Sequence, residues 1–155
     1  MFQDSSPKVR EAIGWVFQQI CNNHAECLVY NQENTQKFVG TLVKSLQDLP
    51  KISAHCCRAI GHLADSLAPE DREVQRSNQL TPYFEHIAEA LMVNAQRADA
   101  SESTSAVIEA SYDAVISLVQ SSCDDSNNSL KKMLTAILFS LEQTIVNASV
   151  NNEIV

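Results

Sequence analysis

Glycine and proline are scarce in this 155-residue sequence, with 3 and 4 copies. Sheets joined by tight turns draw on both, so the scarcity argues for a mainly helical chain. Basic residues are also few: 11 Lys and Arg stand against 19 Asp and Glu, for a formal net charge of −8. Such a surface disfavours nucleic acid and anionic membranes and favours basic partners. The one adjacent basic pair is Lys131-Lys132, which makes no nucleic-acid patch. There is no glycine-rich phosphate loop and no glycine-flanked nucleophile elbow. No apolar run is long enough to read as a membrane span or a signal peptide.

Five cysteines are present, an odd number without framework spacing: Cys21, Cys27, Cys56, Cys57 and Cys123. They read as reduced thiols of an intracellular protein. Cys21, His24 and Cys27, and the run His55-Cys56-Cys57, have the residue types of metal ligands. They lack the paired short spacings that converge on one ion, and His55 and Cys56 fall on the core arc of a helix. No metal, cofactor or enzymatic activity is expected, and a solenoid this small is expected to offer no deep pocket.

What the chain does have is helical periodicity, 45% apolar residues and one tryptophan. Apolar spacing predicts six helices, at about 7–23, 34–48, 50–67, 80–97, 104–122 and 129–147, with a frayed tail over 148–155. Val9, Ala12, Ile13, Val16, Phe17 and Ile20 form the apolar face of the first. The other core faces are Phe38, Val39, Leu42, Val43 and Leu46; Ile52, His55, Cys56, Ala59, Ile60 and Leu63; Phe84, Ile87, Ala88 and Leu91; Val107, Ala110, Ser111, Ala114, Val115 and Leu118; and Leu130, Met133, Leu134, Ile137, Leu138, Leu141 and Ile145.

The odd-numbered helices superimpose without gaps. Val9, Ile52 and Val107 correspond, as do Ile20, Leu63 and Leu118. The even-numbered ones align through Leu42, Ile87 and Ile137. A two-helix period of roughly forty residues predicts an all-α HEAT or armadillo solenoid. Residues 1–147 would form six antiparallel helices in about three stacked repeats. The first helix would be the second of its repeat and the last helix the first of another. With no polar cap at either end, the end faces are expected to pair with further repeats or with copies of themselves.

In such a stack the odd-numbered helices line one surface side by side. Their outer arcs carry Glu11, Trp15, Gln18 and Asn22; Ala54, Arg58, Gly61 and Asp65; and Glu109, Asp113 and Gln120. Glu11, Asp65, Glu109 and Asp113 would form an acidic stripe beside Trp15. Carboxylates next to an indole suit a basic peptide, since arginine both pairs with a carboxylate and stacks on the ring.

Val9-Arg10-Glu11-x-x-x-Trp15, followed by Ile20-Cys21, resembles the second helix of a central HEAT repeat of the importin beta (karyopherin beta) family. Leu46-x-Asp48-x-Pro50-Lys51-Ile52-Ser53, Ala59-Ile60-x-x-Leu63-Ala64, and Ser111-Tyr112 with Val115 extend the resemblance over most of the chain. It implies a non-enzymatic adaptor whose concave face binds the basic N-terminal segment of importin alpha. It also implies release by RanGTP in the full receptor, FG-nucleoporin binding between outer helices of other repeats, and shuttling between cytoplasm and nucleus through the pore. Trp15 and Glu11 match an aromatic and an acidic position of that face, and Asp65 falls where an acid is common. Arg58 departs from it, since the family often has a second tryptophan there. The alternative is a HEAT scaffold of another complex, such as a phosphatase or a trafficking coat.

Overall fold

The computed structural model describes residues 4–68, 76–97 and 102–152. These hold six α-helices and no strand: α1 Pro7–His24, α2 Gln32–Ser45, α3 Pro50–Ser66, α4 Phe84–Ala95, α5 Glu102–Gln120 and α6 Asn127–Asn152. Short 3₁₀ turns at Ala25–Cys27, Thr81–Tyr83 and Asp124–Ser126 join them.

Local chemistry sets the helix starts. Pro7 and Pro50 sit in first turns, where no amide donor is needed. Ser6 precedes α1 without capping it through its side chain; Asp4 Oδ1 instead accepts from the Ser6 amide at 2.8 Å. Asn31 caps α2, its Oδ1 accepting from the Asn34 amide at 2.8 Å, so the helix begins at Gln32 rather than near 34. Asn78 Oδ1 accepts from the Leu80 and Thr81 amides, while its Nδ2 donates to the Ser121 carbonyl at 3.1 Å. This turn tightens 81–83 into 3₁₀ geometry, and α-helix starts only at Phe84. The last helix continues to Asn152, through residues expected to fray, because no glycine or proline follows Asn127 to stop it. The stretches 1–3, 69–75, 98–101 and 153–155 lie outside the described residues, and with them parts of the segments that separate the expected third, fourth and fifth helices and of the expected tail.

The helices stack in two layers. Helix α3 lies between α1 and α5, and α2 backs it; α4 backs α5 and reaches α6. Leu42, Leu46, Ile52, Ile60, Leu63, Ile87, Leu91, Val107 and Leu118 are buried between the layers. Each such side chain contributes about 1.5–3 kcal/mol by leaving water. The expected faces of α2, α4 and α5 are buried throughout, and that of α3 except at His55.

The faces of α1 and α6 are only partly covered. Val9 and Val16 on α1, and Leu134, Leu138 and Leu141 on α6, are exposed, and Ile13, Phe17, Ile20, Leu130 and Ile137 are half-buried. A helix with neighbours on both sides hides its whole apolar arc, whereas one at the margin of the described stack hides only the near side. Tyr112, Ile116 and Val119 of α5 are exposed for the same reason. In the repeat register they correspond to Cys57, Gly61 and Ala64, which on α3 are buried.

Polar contacts fix the stack. Arg10 of α1 makes a bidentate pair with Asp48 in the α2–α3 turn, Nε to Oδ2 at 2.7 Å and Nη2 to Oδ1 at 3.0 Å. Arg97, beyond α4, donates to the Asp48 carbonyl at 2.8 Å. Inside the core, Asn94 of α4 donates to Ser53 Oγ of α3 and Ser111 Oγ of α5, each at 3.0 Å, and lies 3.2 Å from Cys57 Sγ.

Candidate protein-binding groove

Helix α3 forms the floor of the open face. Its solvent-facing stripe is Lys51, His55, Arg58, His62 and Asp65, spaced by alternating steps of four and three residues as one helix face requires. The expected partners of Arg58 on this face, Ala54 and Gly61, are buried. The reason is geometric. Helix α5 covers that flank of α3, and a Cβ at Gly61 would lie 3.5 Å from Ala114 Cα and 3.7 Å from Ser117 Oγ. The matching positions on α1, Glu11 and Gln18, are half-buried.

The α1 side of the groove carries Trp15, 53% exposed, with half-buried Glu11 one turn before it and Asn22 exposed two turns after. Gln18 turns toward α3, where its Oε1 accepts from His55 Nδ1 at 2.8 Å. His55 therefore lies between groove and core, not on the core arc where spacing placed it. Burial lowers its pKa and the charge of Arg58 lowers it further, while Glu11 opposes both. The imidazole is thereby held neutral, with Nδ1 carrying the proton. Glu11, Gln18, His55 and Arg58 are thus brought together at the α1–α3 junction.

On the α5 side, Glu109, Asp113 and Gln120 are exposed. Arg58 forms no ion pair with a described residue, and neither do Glu11, Asp65, Glu109 or Asp113. Acids stand on α1 and α5 and at the far end of α3, and Lys51 and Arg58 divide them. Helical spacing missed Lys51 and His62 because it cannot tell which flank of α3 a neighbour covers.

A concavity on another side of the molecule was not legible from spacing at all. Between α4 and α6 a groove of about 390 Å³ is floored by Ala88, Met92, Val93, Met133 and Ala136. Glu85 bridges its rim, accepting from Lys132 Nζ at 2.6 Å and from Ser129 Oγ at 3.2 Å. Methionine side chains give such a groove an adaptable apolar wall. The exposed Val93, off the core face of its helix, was the available signal.

The metal-type residues stay apart. Among the described residues no group of three His, Cys, Asp or Glu side chains is placed to hold an ion. Cys21, Cys56, Cys57 and Cys123 are buried and Cys27 is exposed. Burial pushes the Cys21 thiol up to about 12 and raises Cys56 and Cys57 as well. No helix of the described residues is long and apolar enough to cross a membrane.

Helix pairs laid one on the next in two layers define a HEAT-repeat solenoid, a scaffold that presents helix faces to other proteins. Residues 37–154 match the family described as importin subunit beta-1-like, TPR repeats. The chain belongs to that importin beta-1-like family. It is 27% identical over 146 residues to importin subunit beta-1 of Arabidopsis thaliana, covering 92% of this chain and 16% of the relative. It is 28% identical over 139 residues to importin subunit beta-1 of Schizosaccharomyces pombe, covering 88% and 15%. The chain thus spans about a sixth of the length of these relatives. A solved structure, the Kap95:Nup1 complex, matches with a TM-score of 0.77 at 22% identity over 94% of this chain and 16% of that one, which shows the fold.

Proposed function

We propose that this chain is a segment of a nuclear protein import receptor and that the α1–α3–α5 face binds a basic segment, as of importin alpha or a cargo. The observation that carries the reading is Trp15, half exposed on that face beside Glu11, with Asp113 and Glu109 across it. A ligand arginine stacked on the indole and paired with a carboxylate contributes roughly 0.5–2 kcal/mol. The reading is of a non-enzymatic adaptor, released by RanGTP in the full receptor and shuttling between cytoplasm and nucleus.

Anisotropy of a labelled basic importin-alpha N-terminal segment tests this. Trp15→Ala and Asp113→Lys should each weaken binding several-fold, and raising salt from 0.1 M to 1 M should weaken it further as the screening length falls from about 10 to 3 Å. Equal binding by wild type and both variants at low salt would remove the groove assignment. Capture of coat or phosphatase subunits, without importin alpha or Ran, would favour the scaffold alternative.

A second contact is favoured by the α4–α6 groove, whose apolar floor and methionine wall suit the phenylalanine side chains of an FG-nucleoporin. Val93→Glu, at a position 60% exposed, should weaken capture of an FG-repeat peptide while leaving binding of the basic segment intact.

A further inference from the structure

We propose that the segment bound along the α1–α3–α5 face is not uniformly basic: it carries an acidic residue between two basic ones, and that acid pairs with Arg58. This rests on the reading above that the face binds a basic segment. Arg58 is exposed at the middle of the α3 stripe, and no described residue forms an ion pair with it. Lys51 stands two turns before it on the same stripe. A ligand cation laid across α3 would therefore meet like charge, while the same cation over Glu11 or Asp113 would meet opposite charge.

The order of charges along the ligand follows from the stacking. The approach of Gly61 to Ala114 and Ser117 sets α3 and α5 level, so that Asp113 stands at about the height of Arg58 on the neighbouring helix. On the other side, Trp15 lies one turn before Gln18 and Arg58 one turn after its partner His55. Neighbouring helix axes are about 8–10 Å apart, and an extended chain advances about 3.3 Å per residue. A segment crossing level from α3 to α5 thus needs about three residues, while the two-turn offset between Trp15 and Arg58 adds about 9 Å along the axis and makes that step about four. The matching pattern is a basic residue at Trp15, an acid about four residues on at Arg58, and a basic residue about three further on at Asp113.

Two labelled peptides on one neutral frame test this, one basic–acidic–basic (Arg-x-x-x-Asp-x-x-Arg) and one basic throughout (Arg-x-x-x-Arg-x-x-Arg). With a formal protein charge of −8, attraction without geometry favours the second. The proposal expects the opposite: about tenfold tighter binding of the Asp-centred peptide by wild type. Arg58→Ala should erase the preference and Arg58→Glu should invert it, with circular dichroism melts confirming that the exposed substitution leaves the fold intact. If the all-basic peptide binds wild type as well or better, or if Arg58→Glu leaves the preference unchanged, the proposal is overturned and the basic-segment reading stands. If neither peptide binds at low salt, both are overturned.

Discussion

Arg10 and Asp48 hold each other by two nearly parallel hydrogen bonds across 38 residues of sequence, tying the first helix of the stack to the turn between the next two. Both side chains are mostly shielded, at 16% exposure. The Arg10 hydrogen bond, aided by the Leu49 amide and the charge of Arg10, outweighs desolvation and holds the Asp48 carboxyl below its usual range.

That depression fixes the sign of a pH effect. A carboxylate whose folded pKa lies below its unfolded value of about 3.9 stabilises the fold in full above that value. The contribution is lost as pH falls through the lowered folded pKa. Between pH 5 and pH 2 the wild-type melting temperature should therefore drop more steeply than that of Asp48→Asn, which should already melt lower at pH 7. Parallel curves would show that the pair contributes nothing to stability.

Asn94 bridges α3 and α5 from α4 at 2% exposure. Asn94→Ala should lower unfolding stability by about 1–3 kcal/mol, because it leaves buried hydroxyls of Ser53 and Ser111 without their donor. Urea titration should show a lower midpoint with little change in slope. Asn94→Leu should fare no better, since it adds an apolar side chain against the same hydroxyls.

Gly61 is a close-approach position that still admits one carbon. Its added Cβ would make ordinary contact at 3.5 Å with Ala114 Cα. Gly61→Ala should be neutral or stabilising by up to about 1 kcal/mol through helix propensity. Gly61→Leu should destabilise by about 1–3 kcal/mol by prying α3 from α5. Thermal melts of the two variants separate a packing limit from a purely conformational one.

Thiol labelling should sort the cysteines. Iodoacetamide at pH 8 should modify Cys27 within minutes and spare Cys21, Cys56, Cys57 and Cys123 until the chain is unfolded. Peptide mass mapping reads the outcome, and rapid labelling of Cys56 or Cys57 would show that the α3 seam opens readily.

Periodicity made the two-layer fold legible because Leu42, Leu91, Ile60 and Leu118 each recur where two neighbours close over them. It misjudged α1 and α6, where one arc of the same pattern meets no described neighbour and Val16 or Leu138 stays wet. The open face was half legible. Trp15, Glu11 and Asp113 stood out as residues off the core arc, and they are there. His55, by contrast, looked like core and lies on the groove margin, while Gly61 looked open and lies in a seam. Both errors have one cause: a single helix shows how far a residue is from its own apolar axis, but not where the next helix lies. The α4–α6 groove depends on two helices meeting and the Asn94 bridge on three, so no single stretch of sequence displays them.

Asn94 also has a mechanical meaning. A slide of α3 past α5 by one helical turn would break at least one of its bonds to Ser53 and Ser111, so those two helices are pinned through α4. The α1–α3 junction carries the Gln18–His55 bond at the open face, with the Arg10–Asp48 clamp out at the turn. If the solenoid flexes like a spring, the compliance belongs at that first junction, and the distance from Trp15 to Arg58 is the dimension that stretches.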